Sequence, residues 1–349
     1  MRVYFTNEHN SLFCFDDFLG WKFCNNKTGR VFMNEVNHLV SINSEGLRDF
    51  EKLNENKSNI LFLGDSFTSN LEVKYPNKVF TEILEQKYLR DYNIINMGVN
   101  GYGTTQEYLI LKEKGLKYNP KIVVLVFYPR NDFYDNLGVN DWIVGYKRPV
   151  FVYENNSLKL TKTSIKLNKN NSSFYNQVKR AVKQIKIIEL LYSKFIRVLI
   201  NLEIKSEDSK FEFASVPPEI KLSDVKDHKI NEAYFLTCEL LSRMNNELKE
   251  KEIKFYLVFA PTLFQVRNEY FEKLKELGLQ DKDRFLPNKK IKECAKENGF
   301  EFIDPSNQFI IEENKHDHPY LYFSEGIHWT EKGNFLLAEI LSSKLEESD

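Results

Sequence analysis

The stretch that decides the fold is residues 60–68, which read ILFLGDSFT. The four leading apolar residues show no polar alternation, which is typical of a strand buried on both faces. Gly64, Asp65 and Ser66 follow, and in open α/β folds the carboxyl edge of a parallel sheet holds the ligand. Ser66 is therefore a candidate nucleophile, with a helix N-cap as the alternative role for this serine.

Apolar runs and helix-like stretches continue to alternate along the rest of the chain. The pattern predicts strands at 60–63, 92–96, 122–127, 255–260 and 300–303, and helices at 77–89, 105–117, 228–251, 287–298 and 331–345. Strands linked through helices run parallel, and right-handed crossovers place the helices on both faces of the sheet. The sequence predicts a three-layer α/β/α sandwich around a five-stranded parallel sheet.

Three further polar blocks stand near these runs. Residues 96–103 are rich in glycine, Asn131 and Asp132 follow the third strand, and Glu325 precedes His328 by three positions. A serine hydroxyl is a weak nucleophile, so it needs a base, an acid that orients the base, and donors for an oxyanion. The blocks contain residue types for each of these roles.

In this order, the Gly-Asp-Ser, glycine-turn, Asn-Asp and acid-x-x-His blocks resemble those of the SGNH (GDSL) hydrolase family. The resemblance covers roughly residues 57–136 and 254–345. It implies a flavodoxin-like sheet and a site that uses no cofactor or metal. The roles it implies are nucleophile for Ser66, oxyanion donors for Gly101 and Asn131, general base for His328 and orienting acid for Glu325.

The chain departs from the family pattern at two positions. Pro129 stands where the family has the glycine of Gly-x-Asn-Asp, and Glu325 stands where it has aspartate. Proline fixes φ and removes a backbone N–H donor, so the backbone that leads to Asn131 must differ locally from that of the family. The longer glutamate leaves Asp135 and Asp317 open as other partners for His328, and Gly98 and Gly103 remain alternatives to Gly101 in the glycine turn.

The predicted organisation has four parts. Residues 1–56 are an N-terminal extension packed on the core, 57–140 and 228–349 are the two parts of the hydrolase domain, and 141–227 are a cap insertion. Within the insertion, a β-hairpin is expected at 149–153 and 158–160 and a helix at 174–202. Because the insertion leaves from the carboxyl edge of the sheet, we expect it to shape substrate access.

Composition restricts the partners and the compartment. The 349 residues have a formal net charge of -1, which offers no general attraction for nucleic acid. Cys14, Cys24, Cys238 and Cys294 lack metal-ligand spacing and disulfide density, so we predict free thiols in a reducing compartment. No apolar run has the length of a membrane span, and residues 1–8 lack a signal-like apolar segment, which predicts a cytoplasmic location.

The resemblance implies a serine esterase that hydrolyses an O-acyl ester, with O-acetyl esters foremost, through an acyl-enzyme on Ser66. Aromatic and amide side chains suggest a carbohydrate ester as substrate, because they can stack on and hydrogen-bond a sugar ring: Tyr102, Tyr128, Asn136, Trp142 and Trp329. Two alternatives remain open. One is an O-acetyltransferase acting on a polysaccharide, and the other is an inactive carbohydrate-binding or assembly protein of the same fold.

Overall fold

The computed structural model describes residues 11–33, 36–51, 54–138, 142–143, 146–162, 221–223, 227–269, 272, 283–315, 320–324 and 326–346. The strands of these ranges are β1 (Phe13–Asp16), β2 (Gly20–Phe23), β3 (Thr28–Met33), β4 (Val36–Ser41), β5 (Ser58–Gly64), β6 (Tyr92–Asn96), β7 (Pro120–Phe127), β8 (Trp142–Ile143), β9 (Tyr146–Lys147), β10 (Val150–Glu154), β11 (Ser157–Lys162), β12 (Lys254–Phe259) and β13 (Glu301–Ile303). The α-helices are α1 (Ser66–Ser69), α2 (Phe80–Ile83), α3 (Thr104–Glu113), α4 (Pro129–Tyr134), α5 (His228–Lys249), α6 (Leu263–Val266), α7 (Leu286–Asn298), α8 (Ser306–Glu313) and α9 (Glu331–Glu346).

The five predicted strands form one sheet, in the order β13-β12-β7-β5-β6. All four of its pairings are parallel, which confirms the predicted fold class. Numbered along the chain, these strands have the flavodoxin-like order 2-1-3-4-5, whose topological switch point lies between β5 and β7. The residues that follow these two strands therefore meet at the crevice where such folds bind ligands.

Successive residues of the sheet strands enter two different cores. In β5, Leu61 and Leu63 pack in one hydrophobic cluster, whereas Ile60 and Phe62 pack in the other. The first cluster includes apolar residues of α3, α5 and α7, and the second includes those of α2, α8 and α9. Both faces of the sheet are thus covered by helices, which explains why the strands read as unbroken apolar runs.

The helix predicted at 77–89 is replaced by three shorter pieces. A 3-10 turn at Pro76–Lys78 precedes α2, and a π-helical turn at Leu84–Tyr88 follows it. Val79 between the first two pieces is extended, and the Phe80 N–H donates to Asn334 of α9 at 3.0 Å. The other helices predicted between the sheet strands and at the C-terminal end are present, with ends shifted by a few residues at most. Helix α3, for example, ends at Glu113, and a 3-10 turn at Gly115–Tyr118 follows it.

The N-terminal segment, residues 11–51, forms two antiparallel hairpins, β1 with β2 and β3 with β4. Trp21 is fully buried, and its indole N–H donates to the carbonyl of Asn100 at 3.0 Å. Not every ring of this segment is covered, because Phe18 and Phe32 are 39% and 50% exposed. The segment therefore packs on the sheet domain through selected side chains.

The hairpin expected near residue 150 is present as β10 and β11, paired antiparallel. Just before it, Arg148 forms a buried ion pair with Asp135 at 2.7 Å. The chain divides into two compact units, residues 1–166 with 218–349 and residues 167–217. The second unit, with the helix predicted at 174–202, lies outside the described residues, and the cap function stays a prediction.

The expectation of four free thiols is wrong. Cys14 bonds to Cys24 across the first hairpin, and Cys238 of α5 bonds to Cys294 of α7. The sequence reasoning missed them because two isolated pairs lack the density of a disulfide scaffold, whereas folding brings the Cα atoms to 5.1 Å and 5.8 Å. The thiol argument for a reducing compartment is thereby removed.

None of the helices in the described ranges has the length and apolar character that a bilayer crossing requires.

We expect the two disulfides to differ in their effect on stability. Loop-closure entropy grows with the number of residues enclosed, and the separations are 10 and 56 residues. Cys14→Ser with Cys24→Ser should lower the free energy of unfolding by about 3 kcal/mol, and Cys238→Ser with Cys294→Ser by about 4 kcal/mol. Urea unfolding of both double variants measures this, and free thiols in the non-reduced, denatured wild type would contradict the pairing.

Candidate active site

Ser66 lies where the sequence predicts it, directly beyond the carboxyl end of β5. Gly64 turns the chain with φ of +150°, and a Cβ there would lie 2.1 Å from the Thr68 hydroxyl oxygen. Asp65 caps α1, because its carboxylate accepts the Phe67 N–H at 2.8 Å. The strand end, a glycine and a cap thus place Ser66 at the first position of α1.

The Ser66 hydroxyl contacts the imidazole of His328. Ser66 Oγ and His328 Nε2 are 2.7 Å apart, although 262 residues separate the two in sequence. Both side chains are largely buried, with relative exposures of 9% and 7%. The predicted nucleophile and the predicted base are therefore within hydrogen-bond reach of each other.

The carboxylate on the other side of the imidazole belongs to Glu72. Its Oε1 is 2.6 Å from Nδ1 of His328, and the pair is buried. A carboxylate only accepts hydrogen bonds, so this contact assigns the proton to Nδ1 and leaves Nε2 to accept from Ser66. Glu325, the acid expected from the resemblance, lies outside the described residues.

Of the two alternative acids left open by the sequence, the structure describes only Asp135. Asp135 pairs with Arg148 instead, and Asp317 lies outside the described ranges. Glu72 was missed because it stands alone between Leu71 and Val73, in a loop with no family motif. A single acid flanked by apolar residues soon after the nucleophile is the one weak signal that could have identified it.

An aromatic environment holds the imidazole. The Phe67 ring lies 4.9 Å from the His328 ring and 4.8 Å from that of Trp329. The backbone on either side is fixed by a short bridge between Tyr322 and Trp329, and Phe323 N–H donates to the His328 carbonyl at 3.1 Å. Ring and backbone contacts together limit the rotation of His328 around its position between Ser66 and Glu72.

The surroundings of His328 raise the pKa of its imidazole. Burial by itself lowers the pKa of His328, but the charge and hydrogen bond of Glu72 raise it, and the net pKa lies above the usual value of 6.5. Asp65 adds to the increase, and the nearby cation of Arg130 opposes it. The site can therefore stabilise the charge that a general base acquires.

Asn131 reaches the switch point from the other strand. Its Nδ2 donates to Oδ2 of Asp65 at 2.5 Å, so the residues that follow β5 and β7 are bonded across the crevice. Burial raises the pKa of Asp65 to about 7, against the opposing effects of the Phe67 N–H, His328 and Asn131. Pro129 occupies the first turn of α4, where its missing N–H leaves no hydrogen bond unmade.

Gly101 lies in the turn that follows β6. Its φ of +77° belongs to the left-handed region, which favours glycine. The turn is closed by a hydrogen bond from Tyr102 N–H to the Val99 carbonyl at 3.1 Å, and Asn100 Oδ1 accepts from the Ser69 hydroxyl at 2.6 Å. The glycine turn is thus tied to the helix that begins with Ser66.

Two more acids lie beneath the crevice. Asp132 accepts the Tyr128 N–H at 2.7 Å and the Thr104 hydroxyl at 2.9 Å, and Glu107 is fully buried beside it. Burial and the mutual repulsion of the two carboxyls raise the pKa of Glu107 well above its usual value. The second acid of the Asn-Asp block is therefore a structural group that fixes the start of α4.

Four of the five residues that suggested a sugar substrate are in the interior. Tyr102, Tyr128, Asn136 and Trp329 are at most 2% exposed, so they are not available to stack on a ring in the crevice. The side chain of Trp142 is outside the described part of the chain. In the described ranges, histidine, cysteine and acidic side chains form no cluster of three that would suit a metal ion.

No protein-family model matches the chain, and no curated protein matches it. The chain is similar to the solved structure of the acetyl xylan esterase AlAXEase, with 12% identity over 82% of this chain and 98% of that one and a TM-score of 0.43. It is also similar to a GDSL-like lipase from Bacteroides thetaiotaomicron VPI-5482, with 13% identity, coverage of 86% and 93% and a TM-score of 0.39. A catalytic mutant of Axe2, an acetylxylan esterase from Geobacillus stearothermophilus, has 11% identity, coverage of 81% and 92% and a TM-score of 0.41.

We expect Glu72→Gln to lower the pKa of the His328 imidazole, because an amide neither carries the charge nor accepts as strongly as the carboxylate that now raises it. NMR titration of the His328 ring in the wild type and the variant measures the change. His228→Gln, at an exposed position at the start of α5, is the control, and an unchanged His328 pKa in Glu72→Gln would contradict the contact.

Proposed function

We propose that this protein is a carboxylic ester hydrolase of the SGNH type that acts through an acyl-enzyme on Ser66. The observation that carries the proposal is the continuous chain of contacts from Ser66 Oγ to His328 Nε2 at 2.7 Å and from His328 Nδ1 to Glu72 Oε1 at 2.6 Å. Nucleophile, base and acid in series are the arrangement that activates a serine hydroxyl. The esterase resemblance of the sequence blocks points to the same chemistry.

In the first half-reaction, His328 Nε2 takes the proton of the Ser66 hydroxyl while Oγ attacks the ester carbonyl carbon. The tetrahedral intermediate collapses when the C–O bond to the leaving alcohol breaks, and the imidazolium returns the proton to that alcohol. Water then attacks the acyl-enzyme with His328 as base again, which releases the acid and restores Ser66. Each proton taken by Nε2 is given back within the same half-reaction.

Glu72 supplies the orienting carboxylate in this proposal. It accepts from Nδ1–H, which fixes the neutral ring in the tautomer whose Nε2 is directed at Ser66, and it stabilises the imidazolium that forms during both half-reactions. The family position of this acid, Glu325, is then free of that role. Glu72 instead follows Ser66 by six residues, in the loop after α1.

The oxyanion donors in the proposal are the backbone N–H groups of Ser66 and Gly101 and the side chain of Asn131. A carboxamide nitrogen has two hydrogens, so Asn131 can donate one to Asp65 and direct the other to the substrate oxygen. Asp65 then serves as a support for the amide. With Pro129 accommodated in the first turn of α4 and Glu72 at the imidazole, the two departures that favoured an inactive relative no longer weigh against catalysis.

The proposed substrate class is an O-acyl ester with a small acyl group, such as an acetyl ester. Because the aromatic residues Tyr102, Tyr128 and Trp329 are buried, they cannot stack on a sugar ring, and the specific argument for a sugar ester no longer applies. We therefore propose no particular class of alcohol for the substrate. An aryl acetate is the appropriate first probe, because it requires only the nucleophile, the base and the oxyanion donors.

We expect the wild type to hydrolyse p-nitrophenyl acetate and Ser66→Ala and His328→Ala to lose at least about a thousandfold in kcat/KM, since each removes a member of a unit that acts together. Release of p-nitrophenol across neutral to mildly alkaline pH measures this. Ser343→Ala, an exposed serine of α9, is the matched control. Two results together would refute the proposed function. They are equal rates of hydrolysis for Ser66→Ala and the wild type, and the absence of a fluorophosphonate adduct on Ser66 by mass spectrometry.

The two candidate acids are separated by amide substitutions of the same chemistry. Glu72→Gln should lower kcat by about a hundredfold or more, because the wrong tautomer and the loss of charge both weaken the base. Glu325→Gln should change kcat by less than about threefold. Steady-state kinetics of both variants at one pH decide between them, and the reverse ranking would assign the role to Glu325.

A further inference from the structure

We propose that Arg48 of the N-terminal segment is a positioning residue that sets Glu72 against His328. The inference rests on the proposed function for its catalytic meaning, and on contacts of the described residues for its geometry. It makes the N-terminal segment a part of the site, beyond its packing on the sheet domain.

Arg48 binds the backbone on both sides of Glu72. Its Nη1 donates to the Ser69 carbonyl at 2.7 Å and also to the Asn70 carbonyl, and its Nη2 donates to the Val73 carbonyl. The guanidinium is 4% exposed. One planar cation therefore joins three carbonyls across a loop of five residues, which a single ammonium cannot do with the same directions.

His38 of β4 binds the carbonyl that remains between these contacts. Its Nε2 lies 3.0 Å from the Leu71 oxygen, and the ring is buried. Within residues 69–73, two side chains of the N-terminal segment thus bind every carbonyl except that of Glu72 itself. Packing of an extension on a domain would not by itself produce this convergence on one loop.

The loop of Glu72 begins at the C-cap of α1. Asn70 follows α1 in a left-handed conformation with φ of 41°, which turns the chain away from the helix and toward Glu72. Asparagine is one of the few non-glycine residues that adopts this conformation readily, and it is a known helix C-cap. The carbonyl of Asn70 is one of the three that Arg48 binds. The Nδ2 atom of Asn70 lies 3.5 Å from the carbonyl oxygen of Trp329, the residue after His328.

The charges also match. Glu72 is 7% exposed, its Oε1 is bonded to His328, and its Oε2 has no hydrogen-bond partner in the described part of the chain. A buried carboxylate is costly unless a cation is close, and Arg48 is the buried cation beside it. Burial lowers the pKa of Arg48 to about 10, while the charge of Glu72 acts in the opposite direction. Lys74 and His38 are the other basic groups on this side of the loop.

The segment also contacts the loop that contains the predicted oxyanion glycine. Trp21 donates to the carbonyl of Asn100 at 3.0 Å, and the Tyr102 hydroxyl donates to the carbonyl of Trp21 at 2.7 Å. Gly101 lies between the two residues of the loop that make these bonds. The same segment therefore fixes the backbone at both the acid and the glycine turn.

The test is a double-mutant cycle of Arg48→Lys and Glu72→Gln, read first by NMR titration of the His328 ring. Lysine keeps the positive charge but cannot reproduce the directions of the three hydrogen bonds that Arg48 donates. A change in the His328 pKa therefore reports the loss of these hydrogen bonds and not a loss of charge. Arg48→Lys should lower the His328 pKa toward the value in Glu72→Gln, and it should add nothing in the Glu72→Gln background. The groups that face the ring, Glu72, Asp65 and Arg130, are otherwise unchanged.

Val31→Ala is the matched control, because it loosens the core of the same segment without touching the Arg48 contacts. If Val31→Ala lowers the His328 pKa as much as Arg48→Lys does, the effect is general loosening and the proposal is overturned. An unchanged pKa in Arg48→Lys overturns it as well. Should Arg48→Lys fail to fold, His38→Leu replaces it, with a smaller shift in the same direction expected.

Hydrolysis of p-nitrophenyl acetate provides the second readout. Arg48→Lys should lower kcat/KM roughly tenfold in the wild-type background and less than about twofold in the Glu72→Gln background. Equal losses in both backgrounds would show that Arg48 does not act through Glu72. If Ser66→Ala matches the wild type, the proposed function fails, while the NMR titration still decides whether Arg48 positions Glu72.

Discussion

The imidazole of His328 has to be held between a hydroxyl and a carboxylate in a place that is nearly closed to water. Its two nitrogens contact Ser66 and Glu72 at 2.7 Å and 2.6 Å. These two partners are close in sequence, whereas the histidine comes from the far end of the chain. A hydrogen bond of this kind needs heavy atoms placed to within a fraction of an ångström. The parallel sheet, the two cores and the short bridge beside Trp329 all serve to meet this requirement.

Burial of charge is the constraint that follows from it. A carboxylate taken out of water must be compensated, and Glu72 contacts the imidazole directly while its charge also interacts with that of the buried Arg48. Asp65 and Glu107 are also buried, and burial raises the pKa of both carboxyls. Among the acids of the site region, Glu72 thus contacts the imidazole of His328, whereas burial raises the pKa of Asp65 and of Glu107.

The departures from the family pattern become understandable in the folded chain. Pro129 is harmless because it stands at a helix start, where a backbone donor has no partner to lose. The N-terminal segment, which the sequence suggested only as a packed extension, bonds to both loops that flank Ser66 in the site. Two disulfides, one within this segment and one between α5 and α7, restrict the elements around the sheet.

The sequence by itself determined the strands, the class of the fold and the positions of Ser66, His328 and Asn131 at the ends of its elements. These are local properties, because a strand buried on both faces needs an apolar run and its end needs a turn. Only the tertiary structure decided that Glu72 contacts His328, that Arg48 binds the loop of Glu72 and that the cysteines pair. Glu72 and His328 are 256 residues apart, and no local pattern records which two distant side chains the path of the chain brings together.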